Sequence, residues 1–239
     1  MWSSRRIAVI CLILVGILGG GYQLMNARTF QLFGTLVARA ETSGKVVALT
    51  FDDGPQPVYT EQILGILDEL GIKATFFVTG SDLEQHMAEA QQIVAAGHAL
   101  GNHSFSHQRM ILVTPAFVRD EIERTDQLIR EAGYSGEITF RPPYGKKLVA
   151  LPYYLSQTGR TTIMWDVEPE SDSEIAASSE RITADILGKA QPGSIILLHV
   201  MFQSGQPSRD AVRDSVIGLQ QAGYRFVTVP ELLSMLAEE

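Results

Sequence analysis

The sequence predicts an α/β fold of seven βα units with parallel strands. Two observations carry this. From Lys45 onward, short apolar runs alternate with amphipathic segments, the pattern of strands each followed by a covering helix. Several runs, such as Ile195-Ile196-Leu197-Leu198, are apolar without alternation, as in strands covered on both faces. Right-handed crossovers bring the C-terminal ends of such strands to one rim. Periodicity leaves open whether the sheet closes into a barrel or stays open and doubly wound. No Gly-rich phosphate loop follows the first strand, which weakens a nucleotide-binding reading.

The elements follow in order. A first strand is expected over 46–51 and a helix over 59–70, with Ile63, Ile66, Leu67 and Leu70 at helical spacing and Gly71 after its end. A strand over 74–79 and a helix over 82–96 come next, then a short strand over 98–102 and a helix over 115–132. A fourth strand is expected over 139–142 with a helix near 147–157, and a fifth over 161–167 with a helix over 174–190. The sixth strand, over 194–199, leads to a helix over 209–222. The seventh, over 225–229, leads to a last helix over 231–237.

Ahead of this domain, Arg5 and Arg6 precede an uncharged run over 7–27. Flanking arginines and an apolar core are the marks of a signal peptide or a membrane anchor with the arginines inside. Ala38-Arg39-Ala40 resembles a cleavage site but lies far past the apolar core, which favours an uncleaved anchor. Residues 28–44 are expected to be a linker.

The composition excludes several classes. A net charge of −8, from 19 basic and 27 acidic residues, suits nucleic acid poorly, so no nucleic-acid partner is expected. The one cysteine, Cys11, lies in the leader, so the domain has neither a disulfide frame nor a thiolate metal site.

Unusual polar residues gather at the predicted strand ends. Asp52 and Asp53, in Thr50-Phe51-Asp52-Asp53-Gly54-Pro55, end the first strand. Like charges side by side are costly unless a cation or a division of roles separates them; the alternative is an ordinary turn or cap. His103 and His107 follow the third strand at i, i+4 spacing. On a helical turn both imidazoles would share one face and, with Asp53, could form a two-histidine, one-carboxylate metal set with open positions. Arg141 and Tyr144 follow the fourth strand in a loop stiffened by Pro142 and Pro143, with a surface turn as the alternative. Asp166 and Glu168 end the fifth strand. His199 ends the sixth, where a core histidine is an equally good reading. His86 and His98 receive no chemistry.

Taken together, these residues resemble the polysaccharide deacetylase family, the NodB-homology carbohydrate esterases. The Thr50–Pro55 stretch is similar to the first family motif, Gly97–His107 to the second, Arg141-Pro142-Pro143-Tyr144 to the third and Leu197-Leu198-His199 to the fifth. The resemblance implies a distorted (β/α)7 barrel. The chain thus divides into a signal-anchor or signal peptide over 1–27 and a linker over 28–44, read from the residues, and a domain over 45–239 that the resemblance implies is catalytic. The resemblance implies that Asp53, His103 and His107 hold a divalent metal, usually zinc, and that Asp52, oriented by Arg141, takes a proton from the metal-bound water. Tyr144 would offer its N–H to the oxyanion, and His199 would protonate the leaving amine. Leu197 would line the acetyl pocket, with Pro142 and Trp165 on the substrate side. The fourth motif departs from the pattern. Glu168 stands where the acid that tunes the histidine is expected, and Ser171 and Asp172 replace the Asp and Trp that usually follow. The implied activity is removal of N-acetyl groups from an amino-sugar polymer such as peptidoglycan. O-acetyl esterase action on a xylan-type polymer, or a silent glycan-binding module, are the alternatives. The partners expected are an acetylated glycan and, through the N-terminal segment, a membrane. The domain would lie outside the cytoplasm, or be secreted if the leader is cleaved.

Overall fold

The computed structural model describes residues 4–236. The first three residues of the leader, and Ala237 of the last expected helix, lie outside the described residues. Helix α1 (Ser4–Asn26) is, among those residues, the one helix long and apolar enough to cross a membrane, and none of its Val9–Asn26 window is buried.

Strand β1 (Leu36–Val37) lies inside the stretch expected to be a linker. Ala40 is buried, and its N–H donates to the Gly193 carbonyl at 2.9 Å. Gly193 has φ 78°, and a Cβ there would sit 1.8 Å from the Ala40 oxygen, so this close approach needs glycine. Residues 36–40 are therefore packed into the domain. A two-residue strand has no period to read, which is why the sequence suggests only a spacer.

The expected alternation follows. Strand β2 (Val46–Asp52) leads to α2 (Pro57–Glu69), and β3 (Thr75–Val78) to α3 (Gly80–Gln85) and α4 (Met87–Ala95). His86, at φ −133°, divides the helix expected over 82–96 into these two. Strand β4 (Ala99–Asn102) precedes α5 (Pro115–Glu131), and α6 (Ala150–Gln157) precedes β5 (Thr162–Ile163). Helices α7 (Ser173–Ala176) and α8 (Ser179–Lys189), strand β6 (Ile195–Leu198), helix α9 (Gln206–Gln221), strand β7 (Arg225–Phe226) and helix α10 (Val229–Leu236) complete the chain.

The strands pair in parallel in the order β4-β3-β2-β6, with β7 beside the start of β2, and β1 pairs with β5. Phe140 bridges β4 at Asn102 to β5 at Thr162, and Val167 bridges to Ile196 of β6. The arrangement is barrel-like. The fourth strand, expected over 139–142, is reduced to Phe140, because Pro142 and Pro143 bring no N–H donors to extend it. The fifth is cut to two residues; beyond it the Asp166 and Val167 amides both reach the Ile195 carbonyl, at 3.3 and 3.4 Å.

Strand alternation sorts β2 into two layers. Val47, Leu49 and Phe51 pack outward with Ile63 and Leu67 of α2 and Val212 and Val216 of α9. Val46 and Ala48 face a second cluster with Phe77, Met164, Trp165 and Leu197. Burial of such side chains stabilises by about 1.5–3 kcal/mol each. Thr50 and Asp52 continue the second face by period two, which points Asp52 into the rim.

Candidate active site

A cleft of about 720 Å³ opens at the C-terminal ends of the strands and is lined by Asp52, Asp53, His103, His107, Tyr144, Trp165, Leu197 and His199, among others. Two adjacent residues of a strand point to opposite faces, yet Asp52 and Asp53 both line it. The reason is the backbone of Asp53, whose φ of 72° breaks the alternation just past β2.

Arg141 is fully buried and fixes Asp52. Its Nη1 donates to Asp52 Oδ1 at 2.6 Å and to Thr50 Oγ1 at 2.9 Å, and Nη2 reaches the Met164 carbonyl at 3.2 Å. The guanidinium lies 4.0 Å from the Phe77 ring centroid. Burial pushes the Asp52 carboxyl up, but the charges of Arg141, His103 and His199 outweigh it and hold its pKa below the ordinary value. Asp53 lacks such a partner. Burial and the charge of Asp52 push it up to about 7.

His103 and His107 meet without a helix. Ser104 and His107 have φ of 66° and 55°, so the chain folds in a tight loop rather than the expected helical turn. Asn102 Oδ1 accepts the Ser104 N–H at 2.8 Å, and Ser104 Oγ accepts the His107 N–H at 3.1 Å. Glu121, buried on α5, accepts the Phe105 and Ser106 amides at 3.0 and 2.8 Å and the Ser106 hydroxyl at 2.8 Å. The two imidazole centroids end 4.9 Å apart.

The donor set suits a divalent metal. One ligand atom each from Asp53, His103 and His107 lies within 4.8 Å of the others. His103 Nδ1 donates to the Arg141 carbonyl at 2.8 Å, which leaves its Nε2 lone pair facing the acids, 3.5 Å from Asp52 Oδ2 and 3.9 Å from Asp53 Oδ1. His107 Nε2 lies 3.4 Å from Asp53 Oδ1. Burial lowers both histidines, His103 to about 4. Neutral imidazoles with a lone pair toward a carboxylate are what a metal requires.

His199 is held by a residue that sequence reasoning missed. Glu170 Oε2 lies 2.5 Å from His199 Nδ1, and the same carboxylate accepts the His199 backbone N–H at 2.9 Å. The Ser208 hydroxyl donates to Glu170 Oε1. Burial alone would lower His199, but Glu170 reverses this and, with Asp52 and Asp53, raises it to about 9. Glu168, expected in this role, is instead paired with Arg28 (Nη2–Oε2 3.4 Å) and with the Ser171 hydroxyl. The cause is Pro169, which starts a 3-10 turn over Pro169–Ser171 and carries Glu170 round to the end of β6. A second acid two positions on was the only signal for Glu170, and motif spacing passes over it.

Tyr144, at φ 56°, sits in the turn Pro143–Gly145, half exposed, with its ring centroid 4.6 Å from that of His107. Leu197 and Trp165 line the cleft. Pro142, expected on the substrate side, is buried and is not among the lining residues. Asp166 faces away from His199 and accepts from Ser194 Oγ and the Ile195 amide at 2.7 and 2.8 Å. His98 is a core residue whose Nδ1 accepts the Ala74 N–H at 3.2 Å.

The comparisons agree with this geometry. The family profile described as polysaccharide deacetylase matches residues 39–163. A peptidoglycan-N-acetylglucosamine deacetylase of Bacillus cereus is 34% identical over 194 residues, covering 80% of this chain and 70% of the relative. A crystal structure of the Bc1960 peptidoglycan N-acetylglucosamine deacetylase superposes with a TM-score of 0.77 at 32% identity, covering 82% of this chain and 92% of that one. The Xyl-CE4 domain of a multidomain xylanase from the hindgut metagenome of Trinervitermes trinervoides superposes with a TM-score of 0.73 at 33% identity, covering 81% and 91%. The chain belongs to the polysaccharide deacetylase family and is an enzyme of that family.

Proposed function

We propose that the protein removes N-acetyl groups from the amino sugars of peptidoglycan, using a divalent metal held by Asp53, His103 and His107. The observation that carries this is the convergence of those three ligand atoms within 4.8 Å, beside Asp52 and His199 on one cleft. Two imidazoles and one carboxylate with open positions suit catalytic zinc. Bound there, the ion would supply Lewis acidity at the floor of the cleft.

The chain's own groups divide the proton work. Arg141 occupies Asp52 Oδ1, so Oδ2 is the oxygen left to accept the proton of the attacking water. The depressed pKa of Asp52 keeps it ionised for that task. The Tyr144 N–H is assigned to the oxyanion formed as water adds to the acetyl carbon. His199, charged at neutral pH through Glu170, gives its proton to the leaving nitrogen. The amide carbon–nitrogen bond breaks, and acetate and the free amine leave. Leu197 and Trp165 are assigned to the substrate side of the cleft. We read the strand ring as a distorted (β/α)7 barrel, and α1 as an anchor that leaves the domain outside the cytoplasm.

The same site could cleave an O-acetyl ester, a reading favoured by the likeness to the xylanase domain. An ester's leaving alkoxide needs the same proton from His199. Acetate release from matched N-acetyl and O-acetyl saccharides and from peptidoglycan fragments, with zinc added, decides between them. Binding of glycan with no acetate released under any divalent ion would overturn both.

A further inference from the structure

The wall of the cleft beside Trp165 is built by the segment that leaves α1. Asn26 and Arg28 line the cleft together with Lys146, Trp165 and Glu168. Two lysines clamp this segment. Lys146 Nζ donates to Asn26 Oδ1, and Lys147 Nζ donates to the Ala27 carbonyl. Lys147 is buried, and its cation at the carbonyl end of a helix is favourable. Neither lysine meets a carboxylate within ion-pair distance among the described residues. Arg28 is half exposed, and its guanidinium lies 5.1 Å from the centroid of the Trp165 ring. Of its five N–H donors, only one at Nη2 has a partner among the described residues, Glu168 at 3.4 Å. Two cations, Arg28 and Lys146, thus meet one carboxylate on this wall, in a chain whose net charge is −8.

We propose that Arg28 and Lys146 are specificity-determining residues that bind an acidic substituent, a carboxylate, on the glycan held in the cleft. The stretch next to the anchor is then a substrate-binding element, positioned by Lys147. Trp165 supports the guanidinium from below, and Glu168 sets its orientation, leaving the fork's other donors for the ligand. A lipid headgroup is the competing anion. The cations line the same cleft as Asp52 and His199, which favours the glycan.

The inference rests on the deacetylase reading for its ligand, and the experiment keeps the two apart. Full-length protein in detergent micelles is titrated calorimetrically with an N-acetylated oligosaccharide bearing a carboxylate, and with the same molecule amidated at that carboxylate. The acidic form is expected to bind about tenfold tighter, a difference that shrinks as salt rises. Arg28→Gln and Lys146→Gln are each expected to remove most of that difference and, in acetate-release assays, to raise KM for the acidic form more than for the neutral one. Equal binding of the two forms by the unaltered protein overturns the inference. So does an equal loss for both forms in Arg28→Gln, which marks a structural role. Loss of binding to phosphatidylglycerol vesicles with glycan preference intact assigns the cations to lipid and also overturns it. If the acidic preference holds but neither form releases acetate, the inference stands and the deacetylase reading fails.

Discussion

Glu170 holds His199 at two points, taking its backbone N–H at 2.9 Å and its Nδ1 at 2.5 Å. One carboxylate thereby fixes both the position of the ring and its charge. The distal Nε2 is the nitrogen left for the proposed proton transfer, and the elevated pKa of about 9 keeps the ring protonated at neutral pH.

Glu170→Gln is therefore expected to bring His199 down, since burial, which lowers it, then acts with less opposition. The alkaline limb of the kcat/KM profile should move to lower pH by about one unit or more. The linkage sign follows. A folded pKa above the ordinary 6.5 gives stability that is full below 6.5 and is lost as pH rises through about 9. That slope should flatten in the variant. Imidazole proton NMR and melts at pH 6 to 9 test both parts, and an unmoved profile would separate Glu170 from the chemistry. Glu168→Gln should leave the limb in place.

Arg141→Met leaves the buried Asp52 carboxylate without its partner. A broken buried pair costs about 3–5 kcal/mol, measurable by denaturant unfolding. Asp52 should then titrate above its ordinary value, because burial, the largest influence on it, is no longer overcome. In the unaltered protein its depressed pKa gives stability that is present above pH 3.8 and is lost as pH falls through the folded value. The variant should lack that acid-limb contribution.

Glu121→Ala removes the acceptor of three hydrogen bonds to the loop between His103 and His107, the histidines proposed to hold the metal. Stability should fall by about 2 kcal/mol. Zinc affinity should fall by about tenfold or more, as for other groups that orient ligands without touching the metal. Calorimetric zinc titration is the check, and unchanged affinity would show that the loop holds its shape without Glu121.

Removal of residues 1–40 takes away β1 and the Ala40 contact with Gly193. The outer edge of β5 at Thr162 and Ile163 would then be unpaired, and the remainder should aggregate or melt at markedly lower temperature. Removal of residues 1–25 keeps these contacts and should leave a cooperative melt. Equal melts for the two truncations would contradict the packing of this segment.

These outcomes reflect what the sequence made legible. The gathering of Asp52, Asp53, His103, His107 and His199 on one cleft, with Arg141 behind Asp52, was legible from their address at strand ends, because a buried apolar run followed by a polar residue is a local pattern. Glu170 was not, since its position depends on a turn set by Pro169 and on a neighbour 29 residues away. The loop carrying the histidines has the spacing of a helical turn, and only the left-handed Ser104 and His107, held by Asn102 and Glu121, show that it is none. Phe140 and β1 owe their pairing to distant partners, and one or two residues carry no period. Arg28 looked like linker for the same reason.

Among the described strands, the one that leads into the two acids has the most strand neighbours: β3, β6 and β7 all pair with β2. It serves as the fixed datum of the site, to which one flank delivers the loop of His103 and His107 and the other His199. Each flank can drift in sequence on its own, so long as its last residues still reach the datum. A lineage of such enzymes could thus exchange the flank that carries His199 while the acids at 52 and 53 stayed where they are.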